Sequence, residues 1–331
     1  MTAGSGMNRE PRATNPLARL LFSEYLVLVL SAAWFLCALP FTPGFASPGN
    51  LGNIVASMLP LLIVATGQTL VLISGGIDLS VTSTIALSSV VGAQIMNGQT
   101  GWLGGGVLAA PGGIAAMLMV GVAVGAFNGA AVTGLKMPPF IVTLTAMMFV
   151  SGFAIWLTQS RNISGLPAAF TIVGGNIILA FLVATGVALS AHAVLSGSLY
   201  GRWLHAVGHN ARAALVSGVP VRRVTLLAYV ACGFCAATAS ILYTGRLETG
   251  SPVHGQRILL DVIGATVIGG TSLFGGRGKI LWTVFGVLFL TLIDNSLNLL
   301  NLSHFTIMMV KGGVILLAAM MDSARTRFAT K

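Results

Sequence analysis

The sequence predicts an all-α membrane protein of about ten transmembrane helices, and three observations carry that prediction. Only 7% of its 331 residues are charged, against about 25% in a soluble domain. Hydrophobic residues make up 55%. They stand in long unbroken runs, not in the ~10-residue alternating segments of a membrane β-barrel. The 42 glycines are roughly twice the usual share, and small residues let membrane helices approach closely. So few charges could not cover a soluble protein of this size, and disorder requires low hydrophobicity. Lipid as the main solvent removes both difficulties.

The first apolar run is Tyr25 to Leu39, after a polar segment carrying Arg9, Arg12 and Arg19. Alone it could be a signal-peptide core, but nine further runs follow it. The second is Ile54 to Ile73, ending at Ser74-Gly-Gly-Ile-Asp78. The third, Leu79 to Ile95, is rich in Ser and Thr, and the fourth covers about Val107 to Val132. The fifth is Phe140 to Leu157 after Pro138-Pro139, and the sixth is Ile177 to Leu195. A polar stretch, Gly201 to Arg223, precedes the seventh, Val224 to Tyr243. The eighth, about Leu259 to Phe274, is interrupted by Gly264, Gly269 and Gly270. The ninth is Ile280 to Leu300 and the tenth Phe305 to Met321. Ten spans at about 20 residues each leave only short loops. The chain therefore divides into a tail over 1–23, one membrane domain over 24–322 and a second tail over 323–331.

Placing the N-terminus inside makes five segments cytoplasmic. They are the N-terminal tail, the loop at Lys136, the 201–223 stretch, the loop at Arg277 and Lys279, and the C-terminal tail. These hold thirteen basic residues, and the outer loops hold only Arg161, Arg246 and Arg257. That is a positive-inside asymmetry. It accounts for the net charge of +10 without a nucleic-acid partner, and it places both termini in the cytoplasm.

No catalytic constellation is visible, so the chain is not expected to be an enzyme. No metal or cofactor is expected either. The five histidines lack a metal-binding pattern. His205 and His209 are four apart, but they lie in the basic polar stretch. Cys232-Gly-Phe-Cys235 has redox spacing, yet inside a membrane helix it reads as packing. The segment Leu273 to Ile280 imitates a phosphate loop and fails at both ends. Leu273 replaces the first glycine and Ile280 the required Ser/Thr.

Ionisable residues within spans are the better clue. Asp294 is seven residues from the end of the ninth span, and Lys311 is six into the tenth. At 1.5 Å per residue both lie about 9–10 Å below the outer surface. They form a possible buried ion pair, with Lys311 snorkelling or a solute-pathway role as alternatives. The glycine-broken spans place bare backbone beside polar groups, as transport proteins do; plain C-capping by glycine is the simpler account. Candidate pathway residues are Gly75, Gly76, Asp78, Ser80, Asn128, Asp261, Gly269, Gly270 and Thr271. In the 201–223 stretch, Asn210 can cap a helix from Ala211 to Val216 that Gly218 ends. Such a helix could anchor on the membrane surface or serve as a docking knob.

Several motifs together resemble a known family. They are Ile73-Ser-Gly-Gly-Ile-Asp-Leu-Ser80, Gly125-Ala-Phe-Asn-Gly129, Lys136-Met-Pro-Pro-Phe-Ile-Val-Thr-Leu144, Ala206-Val-Gly-His-Asn210 with Ser217-Gly-Val219, and Leu260-Asp-Val-Ile-Gly-Ala-Thr-Val-Ile-Gly-Gly-Thr-Ser-Leu273. The chain resembles the permease subunit of ribose-type ABC importers from about Asn50 to Met321. His209 stands where the family often has glycine, and Val81-Thr82-Ser83 stands where a glycine often follows the Leu-Ser-Val.

The resemblance implies a permease in the bacterial inner membrane that pairs with a second permease subunit. A cytoplasmic ATP-binding cassette subunit and a periplasmic sugar-binding protein would complete it. The 201–223 stretch then matches the coupling helix, with Gly208, Asn210, Ala214, Ser217, Gly218, Val219 and Arg222 as ATPase-coupling residues. The outer loops 41–52, 159–174 and 244–258 would meet the binding protein. Asn128 and the Ser/Thr residues of the third span would line the path. The rival is an ion-coupled secondary transporter, which needs a relay of buried carboxylates. The cargo stays open among pentoses, hexoses and polyols.

Overall fold

The computed structural model describes residues 25–99, 101–104 and 106–329, with side chains described to residue 320. The expected tail 1–23 with Arg9, Arg12 and Arg19 lies outside the described residues, as do Lys331 and the side chains of Arg325 and Arg327. Thirteen helices run through the described residues. They are α1 (Leu26–Ala38), α2 (Pro48–Ile73), α3 (Val81–Met96), α4 (Ala109–Gly134), α5 (Pro139–Thr158), α6 (Ala168–Gly175), α7 (Ile177–Gly197), α8 (Leu199–His209), α9 (Ala211–Val216), α10 (Val221–Leu247), α11 (Leu259–Ile268), α12 (Ile280–Leu299) and α13 (His304–Ala329). The β-structure among these residues is one isolated bridge between Ile163 and Gly250.

Six of these helices are long and apolar enough to cross a membrane, namely α2, α4, α5, α7, α10 and α12. Four shorter apolar helices, α1, α3, α11 and the apolar part of α13, coincide with the remaining expected runs. The protein is an all-α polytopic membrane protein. Some details differ from the sequence expectation: α2 begins at Pro48, inside the expected 41–52 loop, and α10 runs on to Leu247. Helices α6 and α8 were not expected. Helix α6 has only eight residues, too few to show periodicity. Helix α8 carries Gly, Trp and His but is started by the Ser198 hydroxyl, which accepts from Gly201 N at 3.1 Å. Helix α11 stops at Ile268 rather than reaching Phe274, because Gly270 adopts φ +82°. Helix α13 continues past Met321 to Ala329, since no Gly or Pro follows to stop it.

Helices α2 and α10 form the centre, and α10 packs on α4, α2, α6 and α3. The α4–α10 contact is backbone on backbone. Gly121, Gly125 and Gly129, one helical turn apart, face Gly233, Tyr229 and Leu226. Gly67 of α2 lies against Cys232 and Cys235, which are buried free thiols used for close packing. The peripheral helices turn large apolar side chains outward, such as Phe149 and Trp156 of α5, Leu182 of α7 and Phe305 of α13. Lipid is a suitable solvent for such faces.

The two ends of the bundle collect different loops. At one end Gly276 N donates to Ile73 O at 2.9 Å, joining the end of α2 to the 269–279 loop. At the other, Gly98 N donates to Gly165 O at 3.2 Å, and Ile163 and Gly250 exchange two bonds of 2.8 Å.

Candidate functional site

The functional candidates fall into three places. The first is the α8–α9 hairpin. Asn210 stands between the helices in an extended conformation, φ −158° and ψ 100°. Its Oδ1 accepts from Arg212 N at 3.1 Å and Ala213 N at 3.0 Å, which closes the first turn of α9. Gly218 adopts φ +84°, which permits the helix to stop within two residues. Val219 N then returns to Ala214 O at 3.0 Å. Ala214 and Val219 face inward and are buried. Asn210, Ser217, Gly218 and Arg222 are exposed, and beside them Val216 is 90% exposed.

The second place is where α8 meets the end of α2. A Cβ at Gly208 would collide with Ile73 O and Gly276 N, so only glycine allows this approach. Gly275 lies against Gly75 in the same cluster. His205 supports it, with Nδ1 2.9 Å from Gly201 O and Nε2 3.4 Å from Gly278 O. Gly269 backs onto the Trp282 main chain at the start of α12. Thr271 is buried beside Gly278, and its hydroxyl has no partner.

The third place is the turn from Ser74 to Ser80, between α2 and α3. Asp78 is 1% exposed, and Ser80 and Asn128 are fully buried. Asp78 Oδ1 accepts from Ser80 N at 2.9 Å and from Ser80 Oγ at 2.6 Å. Asn128 Nδ2 donates to Ser80 Oγ at 2.8 Å. Thr143 Oγ1 and Tyr229 Oη donate to Ile77 O at 3.2 and 3.4 Å. The Gln68 amide, oriented to satisfy both its atoms, donates to Asp78 O at 3.1 Å and accepts from Asp78 N at 3.3 Å.

Asp78, Ser80 and Asn128 thus form one hydrogen-bonded set, while Gly75 joins the α8 contact and Tyr229 stands beside Gly76. Asp261 does not join the glycine breaks with which the sequence groups it. It sits in the first turn of α11, 2.9 Å from Lys311 Nζ. Lys311 also meets Asp294 at 2.9 Å.

Sequence reasoning missed Tyr229, Thr143 and Gln68. A lone tyrosine or glutamine in an apolar run carries no local signal. It also missed the glycine face of α4, although Gly121, Gly125 and Gly129 at four-residue spacing make that face legible.

Comparison with known proteins agrees with this architecture. Residues 50–319 match a family model described as "Branched-chain amino acid transport system / permease component". The chain is 36% identical over 291 residues to the ribose import permease protein RbsC of Bacillus subtilis (strain 168), covering 86% of this chain and 88% of that protein. It is 34% identical over 303 residues to RbsC of Escherichia coli (strain K12), with the same two coverages. It is 32% identical over 337 residues to the L-arabinose transport system permease protein AraH of E. coli (strain K12), covering 97% and 95%. No solved structure matches. The family description names amino acids, and the relatives' names are of sugars. A match over most of the chain, with a polytopic helical bundle beneath it, makes this protein a member of that transport-system permease family.

Proposed function

We propose that this chain is the membrane-spanning subunit of an ATP-driven, binding-protein-dependent importer of a monosaccharide or related small polyol. The observation that carries the reading is the α8–α9 hairpin. It is a short helix closed at both ends by Asn210 and Gly218, with Leu215 and Val216 exposed. Four arginines, at 202, 212, 222 and 223, stand in and around it. A rigid knob with an apolar tip and basic flanks suits a groove on a partner protein. In this reading the partner is a cytoplasmic ATP-binding cassette subunit, and the coupling residues are Gly208, Asn210, Ala214, Ser217, Gly218, Val219 and Arg222. ATP hydrolysis belongs to that partner.

The distribution of Lys and Arg supports cytoplasmic termini in a bacterial inner membrane. A second permease subunit, identical or homologous, completes the pathway. A periplasmic sugar-binding protein docks on the outer loops, two of which the Ile163–Gly250 bridge already ties together. Transport proceeds by rocking between inward- and outward-facing states, with Gly75, Gly76, Asp78, Ser80, Asn128, Gly269, Gly270 and Thr271 beside the moving path. Ion-coupled secondary transport is less well supported. It needs free buried carboxylates, and Lys311 engages both Asp261 and Asp294.

The test is reconstitution with the ATPase subunit and binding protein. Uptake that requires ATP and is lost in Gly218→Trp, while membrane insertion persists, is the expected result. Uptake that follows a proton gradient and ignores ATP would overturn the reading.

A further inference from the structure

We infer that the segment from Ile73 to Ser80 carries motion of the α8–α9 hairpin into the membrane interior, with Tyr229 and Thr143 as its positioning residues. The inference rests on the importer reading and goes beyond it by naming the route inside the chain.

The contact at the hairpin end has no slack. Gly208 meets the Ile73 carbonyl and Gly276 N main chain to main chain, and Gly276 N bonds Ile73 O at 2.9 Å. No side chain lies between them to yield by changing rotamer. A displacement of α8 must therefore move the end of α2, and close-packed elements transmit such shifts as discrete steps.

Beyond Ile73 the chain leaves helical geometry until Val81. Its position there is held by four helices through hydrogen bonds. Gln68 of α2 clasps the Asp78 main chain. Thr143 of α5 and Tyr229 of α10 reach Ile77 O. Asn128 of α4 reaches Ser80 Oγ. A shift of this segment is thus felt at once by helices that surround the interior.

The bonds are also of a kind that can be exchanged. Thr143 Oγ1 lies 3.0 Å from Pro139 O of its own helix as well as 3.2 Å from Ile77 O. Releasing Ile77 leaves that hydroxyl satisfied, so letting go costs little. Asn128 Oδ1 is buried without a donor, which gives the set a free acceptor for a second arrangement. Gly76 faces Tyr229 Oη where a Cβ would stand 2.5 Å away, so the tyrosine hydroxyl occupies a space that only glycine leaves open. Two arrangements of similar energy are what a switching element requires.

The test uses the full transporter, with its ATPase and binding protein, in proteoliposomes. ATP hydrolysis and uptake are measured together, for whichever labelled monosaccharide of a panel the wild type accumulates. Tyr229→Phe and Thr143→Val should retain the ATPase subunit and hydrolyse ATP within about twofold of wild type. Uptake per ATP should fall by about fivefold or more, the scale of an allosteric coupling. Trp34→Phe, which removes a bond to Ser296 in the last turn of α12, should leave the ratio unchanged. If Tyr229→Phe fails to assemble, Thr143→Val decides alone. An unchanged ratio, or uptake and hydrolysis falling in parallel, overturns the inference. A wild type whose uptake ignores ATP overturns the importer reading itself, and the inference with it.

Discussion

Lys311 Nζ lies 2.9 Å from Asp261 Oδ2, joining α13 to α11 across 50 positions of sequence. Asp294 of α12 takes the same ammonium at 2.9 Å, and Asn298 donates to the other oxygen of Asp294 at 3.1 Å. One cation therefore ties three helices together and leaves one negative charge in excess.

That charge count sets the first prediction. Lys311→Met strands two carboxylates, one of them only 16% exposed. The loss should be about 2–3 kcal/mol, below that of a fully buried pair because Asp294 is 46% exposed. Asp261→Asn alone leaves a neutral Lys311–Asp294 pair and should be mild. Adding Asp261→Asn to Lys311→Met should recover part of the loss. Thermal melts in detergent measure all three, and strictly additive losses would contradict the shared cation.

Removing the α9 cap should act locally. Asn210→Ala deletes both acceptor bonds to Arg212 N and Ala213 N, worth about 1 kcal/mol. Hydrogen exchange over residues 211–216 should speed up about fivefold, since 1.4 kcal/mol is tenfold. The global melting temperature should not move, and Asn210→Asp should retain protection. Unchanged exchange in the alanine variant would show that the cap does not hold the helix.

The α4 glycine face should tolerate no side chain. Gly125→Leu drives a side chain into the Tyr229 main chain, at or above the 1–3 kcal/mol typical of overpacking. Gly134→Leu, with nothing within 4 Å, serves as the control. Folded yield should fall sharply for the first and hold for the second. Equal yields would mean the two helices can separate without cost.

The loop between α10 and α11 should respond to pH. His254 Nδ1 lies 3.2 Å from Ser89 Oγ, and burial lowers its pKa below the ordinary histidine value. Above about pH 6.5 the ring is neutral whether folded or unfolded, so its contribution is complete. As pH falls below that, the unfolded chain binds the proton first and stability is lost, until the lower folded pKa is passed. Protection of residues 249–258 should therefore weaken between pH 7.5 and 5.5 in the wild type. His254→Asn should remove that part of the pH dependence, and an identical profile would assign it elsewhere.

The cap and stop of α9 illustrate what was local. Asn210 and Gly218 act within their own turn, so the bounds Ala211–Val216 were readable from residue types alone. The apolar runs were readable for the same reason, because lipid imposes a length that composition must meet. Helix α6 was not readable, since eight residues beside a proline leave too little pattern. Asp261 shows the opposite limit. Its sequence neighbours are the glycine breaks, yet its partner is fifty residues away.

The sequence by itself determined the apolar solvent, the bounds of most apolar helical runs, the uneven spread of Lys and Arg along the chain and the closed helix at Asn210. Each depends on a residue and its near neighbours, or on sums over a run. Tertiary structure alone decided that Lys311 has two partners, that Gly208 touches Ile73, and that Tyr229 and Thr143 converge on Ile77. Those are meetings of distant helices. They depend on rotation and depth about each helix axis, which backbone packing sets to within an ångström and no local pattern encodes.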